Sequence, residues 1–400
     1  MNNIITEDFI NKHFLFRKKN LLEIDLNKYN STFKLEIFGS SILVIGGAGT
    51  IGFNYIKQIL NFRPKRIIIV DINENGLTEI TRDLRSSNLL DYNPEYVTYP
   101  VNLLSKTFDK IFWSNTFDII ANFSAHKHVR SEKDKISIEA LIKNNVYGAI
   151  KLLQLCSQRP PKYLFSVSTD KAANPVNIMG ASKSLMEKLI LSKQNNFRVS
   201  TARFANVAFS NGSLLDGFLY RLSKKQPLSC PSDIKRFFVT PKQSGQICLL
   251  ASFLGESGNI FFPKLDFHED QIYFKDIVVD FLKGNNLEPV FISSEKEAKS
   301  FDISGMNKKY PVYLFKTDTS GEKTYEEFYT DKDNYDIDKY NSLGIIKNKF
   351  LDISFDTIKN DFDKVFENPK SSKEDIIKVI KNYIPDFNHI EKGKNLDQKM

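Results

Sequence analysis

The stretch SILVIGGAGTIGFNYIKQIL, residues 41–60, decides the fold. A short apolar run leads into glycines at 46, 47, 49 and 52, and an amphipathic segment follows. The run reads as a buried strand over 41–47, and the segment after it as a helix over 50–62. Gly46, Gly47, Gly49 and Gly52 permit a tight turn and let a pyrophosphate approach the backbone. The helix start, at Thr50 and Ile51, offers free N–H groups and a partial positive charge to such an anion. GxxGxxG spacing alone is weak evidence. Between a strand and a helix it is specific.

Working outward, RIIIVD (66–71) is a second strand and ENGLTEITRDLRS (74–86) a second helix. EYVTYPV (95–101) and FDIIANFSA (117–125) read as strands, and residues 136–158 as a long helix. KYLFSVST (162–169), MGASKSLMEKLILSKQ (179–194) and FRVSTARFANV (197–207) continue as strand, helix and strand. Short apolar runs alternating with helical periodicity mean βαβ units, and therefore an α/β, doubly wound parallel sheet. After about residue 210 the alternation loosens into a smaller mixed lobe, expected over 211–345 and interleaved with late strands of the sheet. Residues 1–40 form a polar arm with apolar punctuation. Residues 346–400 are rich in Lys, Asp and Asn and are expected to be surface helices with a frayed tail.

Asp71 ends the second strand, about 20 residues beyond the last glycine. A carboxylate there accepts hydrogen bonds from ribose 2′- and 3′-hydroxyls and repels a 2′-phosphate, which favours NAD. Arg82 and Arg85 on the next helix leave NADP open.

Composition bounds the rest. The chain has 400 residues, 41% of them hydrophobic, enough for a sizeable core. The net charge of +8 attracts phosphates. The lysines are scattered, however, with no basic helix interleaved with aromatics, so nucleic acid is not the expected partner. Cys156, Cys230 and Cys248 fit neither a disulfide framework nor a zinc site, and the pair His126 and His128 brackets a lysine; no metal is expected. No run reaches the roughly 20 apolar residues of a membrane helix, and the N-terminus has no signal-peptide core. The expected setting is reducing and cytoplasmic.

A second constellation lies in STDKAANPVNIMGASK, residues 168–183. Thr169, Asp170 and Lys171 leave the end of a strand, where ligands of open α/β sheets bind. Met179 and Lys183 follow, one helical turn apart. Many nicotinamide enzymes place an acid–base tyrosine where Met179 stands.

Here the sequence resembles the extended short-chain dehydrogenase/reductases, which are Rossmann-type enzymes, and specifically the nucleotide-sugar 4,6-dehydratases of capsule and polysaccharide biosynthesis. The resemblance covers roughly 40–330. It rests on GGAGTIG, SAHKHVRSEKD (124–134), NNVYGAIKLL (144–153), STDKAANPVNIMGASK, RFANVAFSNGSLL (203–215), DIKRFFVTP (233–241), IFFPKL (260–265) and SGEKTYEEF (320–328). One branch of these dehydratases carries methionine at the tyrosine position, and there the threonine, aspartate and lysine are implied to carry catalysis.

The implied reaction oxidises C4 of a UDP-N-acetylhexosamine, most simply UDP-GlcNAc, with NAD. Water is then lost across C5 and C6, and hydride returns to C6. Asp170 would act as the acid and Lys171 as the C5 base, which requires a lowered lysine pKa and a raised aspartate pKa. Thr169 would hold the 4-hydroxyl, and Lys183 the nicotinamide ribose. Ser124, Ala125 and Lys127 follow the fourth strand and would line the cofactor and sugar pocket, with Asn145 supporting them. Asn206, Ser213 and Arg236 lie in stretches implied to meet the nucleotide sugar, Arg236 pairing with phosphate oxygens in a fork. Relatives often read Arg-Pro-Gly-Glu-Lys where this chain has Thr319-Ser320-Gly321-Glu322-Lys323, so one phosphate contact is missing. The family also implies a homo-oligomer. Two other readings stay open: a nucleotide-sugar 4-epimerase or other oxidoreductase of the same family, and a non-catalytic nucleotide-sugar-binding protein.

Overall fold

A computed structural model describes residues 7–15, 20–192, 197–303, 308–318, 321, 323, 325–347 and 351–391. Its strands in chain order are β1 Ser41–Ile45, β2 Arg66–Asp71, β3 Glu95–Pro100, β4 Ile119–Asn122, β5 Tyr163–Val167, β6 Arg198–Ala202, β7 Asn206–Val207, β8 Leu228–Pro231, β9 Lys235–Val239, β10 Asn259–Pro263, β11 Gln271–Tyr273, β12 Glu288–Ile292, β13 Lys309–Phe315, β14 Tyr335–Asp336 and β15 Leu343–Lys347. Nine of them form one sheet in the order β14-β15-β10-β6-β5-β4-β1-β2-β3. From β3 through β10 the neighbours are parallel; β15 and β14 close the far edge antiparallel.

The apolar runs explain why this sheet is central. Successive strand residues face opposite sides. In β1, Ile42 and Val44 enter one core layer while Leu43 and Ile45 enter the other. In β2, Ile67 and Ile69 oppose Ile68 and Val70 in the same way. Both faces are therefore buried, which is why the runs are continuous rather than alternating. Each fully buried Ile or Val contributes roughly 1.5–3 kcal/mol relative to exposure. Helices Thr50–Leu60, Glu74–Ser86 and Pro241–Leu254 cover the first face, joined by the arm residues Leu22, Phe33 and Ile37.

The second face is covered by Lys106–Trp113, the Lys135–Gln158 region and Ile178–Ile190. Over these lie Phe355–Glu367 and Lys373–Tyr383, which bury Phe355, Ile358, Phe362, Ile376 and Ile380. The C-terminal helices are thus a packed layer; residues 392–400 of the expected tail lie outside the described residues. The smaller lobe holds two three-stranded sheets, β11-β9-β7 and β12-β13-β8, around a third core cluster that includes Phe218, Phe238 and Phe281. The same stretch also supplies β10 and β15 to the main sheet.

Three expectations need correction in detail. The strand expected over 197–207 ends at Ala202, and the next residue, Arg203, pairs its buried guanidinium with Glu187. The long helix is interrupted by a π-turn at Lys143–Tyr147, which reorients Asn145. An additional helix, Lys106–Trp113, lies before β4; only Phe108, Ile111 and Phe112 of its eight residues are buried.

Candidate active site at the carboxyl ends of the strands

The chain runs outward from β1 to β2 and β3, then returns to place β4 on the other side of β1. The crevice at this reversal lies beyond the ends of β1 and β4. Gly46 has φ +75°, and a Cβ there would sit 2.5 Å from the Ser124 nitrogen, so the two strand exits touch. A Cβ on Gly52 would meet the Gly46 carbonyl oxygen at 2.5 Å, whereas one on Gly49 would meet nothing nearer than 3.5 Å. The protein's own packing thus demands glycine at 46 and 52 but not at 49. Gly49 is the N-cap position of Thr50–Leu60, where a pyrophosphate would approach.

Asp71 stands beside this turn. Its Oδ2 accepts from the Ala48 N–H at 2.9 Å and its Oδ1 from the Asn73 N–H at 2.9 Å. A carboxylate has about four lone-pair sites, so it braces the loop and retains capacity for ribose hydroxyls. Ile51 packs against the first core layer. The Thr50 hydroxyl accepts from the Asn211 N–H at 3.0 Å, and Lys127 Nζ donates to the Asn211 carbonyl at 2.7 Å. The loop before Ser213 is thereby tied to both the glycine turn and the β4 exit.

At that exit the Ser124 N–H donates to Asn122 Oδ1 at 3.0 Å, and Ala125 follows, half-buried. Asn145 reaches across from the π-turn. Its Oδ1 accepts from the His126 N–H at 2.9 Å, and its Nδ2 donates to the His126 carbonyl at 3.0 Å and to Ser182 Oγ at 2.9 Å. One buried amide therefore locks the β4 exit to the helix that carries Lys183.

Beyond β5, Thr169 caps the short turn Asp170–Ala172, and its hydroxyl donates to Asp170 Oδ1 at 2.7 Å. The same oxygen accepts from the Lys171 N–H at 2.9 Å and from Lys171 Nζ at 3.1 Å. Asp170 Oδ2 is buried and has no hydrogen-bond partner among the described residues. Behind the pair lies a residue that sequence reasoning missed, Glu326. Its Oε1 stands 3.7 Å from Lys171 Nζ and 3.7 Å from Arg236 Nη2. The signal was present in SGEKTYEEF, a stretch quoted for its resemblance without a role for its carboxylates.

The electrostatics reverse one expectation. Burial pulls the Lys171 pKa down, but the carboxylates of Asp170 and Glu326 outweigh it against Arg236, and the net result is a rise. Lys171 therefore rests as an ammonium. The lowered lysine is Lys183, brought to about 8 by burial against the opposing Glu187 carboxylate. Lys183 is 4% exposed and donates to the Val167 carbonyl at 3.0 Å. Burial also raises the Glu326 pKa, with Lys171 opposing and Asp170 reinforcing.

Other expected positions sit differently. Met179 is 2% exposed within the second core layer, and its thioether has no titratable proton. Ser213 caps Leu214–Ser223 by accepting from the Asp216 N–H. Asn206 donates to the Phe237 carbonyl at 3.3 Å. Arg236 is buried; it donates to the Lys235 and Lys323 carbonyls and pairs with Glu326 rather than presenting an open fork. Thr319, Ser320 and Glu322, where the missing arginine was noted, lie outside the described residues.

A family model described as "Polysaccharide biosynthesis protein" matches residues 42–348. The chain belongs to this family. Among its relatives, an uncharacterized membrane protein of Methanocaldococcus jannaschii is 28% identical over 85% of this chain and 95% of its own. The capsular polysaccharide biosynthesis protein CapD of Staphylococcus aureus is 28% identical over 75% of the chain, which spans about half of CapD (49%). An inverting UDP-N-acetylglucosamine 4,6-dehydratase of Campylobacter jejuni is 27% identical over 66% of the chain and 81% of its own. Among solved structures, Pen from Bacillus thuringiensis superposes with a TM-score of 0.63 at 19% identity, over 83% of this chain and 98% of its own. The UDP-Glc/GlcNAc 4-epimerase of Campylobacter jejuni gives 0.54 at 20% identity, over 74% and 92%. These likenesses show the fold, a mostly parallel Rossmann-type sheet with a smaller mixed lobe. Among the described residues no helix is long and apolar enough to cross a membrane.

Proposed function

We propose that the protein is an NAD-dependent nucleotide-sugar 4,6-dehydratase acting on a UDP-N-acetylhexosamine, with UDP-GlcNAc the simplest substrate. The observation that carries this reading is the Asp170–Lys171 ion pair at the end of β5, its Nζ and Oδ1 3.1 Å apart, with a buried methionine where a tyrosine would serve oxidation alone. NAD, its pyrophosphate held at the glycine turn and a ribose at Asp71, would supply the acceptor of hydride from C4 and the donor that returns it to C6.

The protein's own groups handle the protons. In the resting pair Lys171 holds the proton. Moving it across to Asp170 leaves a neutral amine and a carboxylic acid side by side. The amine can then take the C5 proton, the acid can protonate the departing 6-hydroxyl, and the ammonium so formed can return a proton to C5 as hydride reaches C6. The Thr169 hydroxyl, anchored on Asp170, would hold the C4 oxygen. Lys183, whose pKa burial brings down to about 8, reaches its neutral form far more readily than an ordinary lysine, and in that form can accept the 4-hydroxyl proton that no tyrosine is present to take. Asp71 favours NAD over NADP. Lys127 and Asn206 border the sugar side, and Arg236 reaches it through Glu326.

Mass spectrometry of the protein incubated with UDP-GlcNAc and NAD in heavy water tests the reading. Loss of one water with deuterium at C5, both abolished in Lys171→Ala, is the expected result. An unchanged mass with a new C4 epimer would make the protein an epimerase. NAD binding without turnover of any UDP-, GDP- or dTDP-sugar would leave a binding protein.

A further inference from the structure

The elimination proposed above needs Lys171 to change protonation state within one catalytic cycle. What surrounds Lys171 therefore decides the rate. Four charged groups face it or its partner: Asp170 on the same turn, Glu326 and Lys323 from the segment before β14, and Arg236 on β9. The side chains of Asp170, Glu326 and Arg236 are 2%, 4% and 7% exposed, while Lys171 keeps 19%. Lys171 is thus the outward member of the cluster, and Asp170, Glu326 and Arg236 lie behind it.

Glu326 touches both cations at equal distance, 3.7 Å to Lys171 and 3.7 Å to Arg236, through the same oxygen. Its other oxygen, Oε2, is buried without a hydrogen-bond partner among the described residues, as is Asp170 Oδ2. An unpartnered carboxylate oxygen in a dry site costs free energy. A carboxylate kept here against that cost is explained by what its charge does to its neighbours.

We propose that Glu326 is a positioning residue of the elimination: its carboxylate holds Lys171 in line with Asp170, ties that pair to Arg236, and sets the pH at which Lys171 becomes a base. This inference rests on the dehydratase reading for its consequence, but not for its electrostatic content. The charge of Glu326, together with that of Asp170, raises the proton affinity of Lys171 and so holds it protonated in reserve. Removing that charge makes Lys171 give up its proton at lower pH.

Two measurements on the full chain with NAD test this. The first is the pH–rate profile of dehydration for wild type, Glu326→Gln and Glu326→Asp. The falling limb, on which the Asp170–Lys171 pair loses the one proton it shares and with it the acid, is expected to move to lower pH by roughly one to three units in Glu326→Gln and back toward wild type in Glu326→Asp. Activity that falls equally at every pH, with the limb unmoved, would overturn the proposal and leave Glu326 a packing residue. The second does not need turnover. Competitive acetylation of Lys171, read by mass spectrometry against exposed lysines, is expected to rise about tenfold or more near neutral pH in Glu326→Gln. Equal labelling in the two proteins would overturn the proposal. If no sugar is dehydrated yet labelling rises, the dehydratase reading falls and the assignment of Glu326 stands.

Discussion

Replacing Lys183 by methionine should make the protein more stable and bind its cofactor less well. Lys183 is 4% exposed, donates one hydrogen bond to the Val167 carbonyl, and has its pKa brought from 10.5 to about 8 by burial. This is the reverse of a lysine that gains a partner on folding. The folded protein releases the proton near pH 8, and the unfolded chain keeps it to about 10.4. Between those values the unfolded state binds more protons, so stability rises with pH across the window. Below it the full cost of the buried ammonium is present. A drop from 10.5 to about 8 corresponds to roughly 3 kcal/mol at 1.36 kcal/mol per pH unit. Methionine removes that cost but also the bond to Val167, worth about 1 kcal/mol. Urea unfolding without NAD should show Lys183→Met more stable than wild type by about 1–3 kcal/mol near pH 7. The advantage should shrink toward zero by about pH 10. A variant clearly less stable at neutral pH, or a difference equal at both pH values, would refute the assignment of a costly buried charge. NAD affinity should fall in the same variant, since stability is exchanged for a placed charge.

Three further substitutions probe the frame. Asn145→Ala removes three hydrogen bonds that join the β4 exit to the Lys183 helix; it should cost about 2–3 kcal/mol in urea unfolding and weaken NAD binding in calorimetry. Glu187→Gln leaves Arg203 buried without its bidentate partner; it should cost about 3–5 kcal/mol, and the double variant Glu187→Leu/Arg203→Met should recover much of that loss. Met179→Tyr forces a larger ring and a hydroxyl into a packed position; it should lose about 1–3 kcal/mol without speeding C4 oxidation in single-turnover absorbance, and a faster oxidation would instead make Met179 a catalytic deficit.

The parallel sheet was legible because burial on both faces of β1, β2 and β5 leaves an uninterrupted apolar run, and nothing else produces that pattern at strand length. The glycine turn was legible for a steric reason: Gly46 and Gly52 sit where a Cβ would strike backbone. The Arg203 break and the π-turn at Asn145 were not. At each the side chain meets partners far off in the sequence, Glu187 and Phe328 for Arg203, His126 and Ser182 for Asn145, which local periodicity does not encode. The C-terminal helices were legible as helices, but not as cover for Ile178–Ile190, because their weak periodicity states a buried face without naming what it meets.

The site itself shows why residue type at the right position does not fix protonation. Lysine at 171 and lysine at 183 are chemically identical, and from sequence the one beside the aspartate looked like the base. Yet both are largely withdrawn from water, and burial alone lowers either. Lys171 is compensated by two carboxylates, one adjacent in sequence and one 155 positions away in the chain, Glu326, and it ends as the more firmly protonated of the two. Lys183 faces a single opposing charge, and burial prevails. Two titratable groups of one kind pushed in opposite directions are what an enzyme needs to hold one proton and accept another at the same pH. The difference between them is the count of carboxylates within about 4 Å, a quantity that depends on where β9 and the segment before β14 fold back over the end of β5.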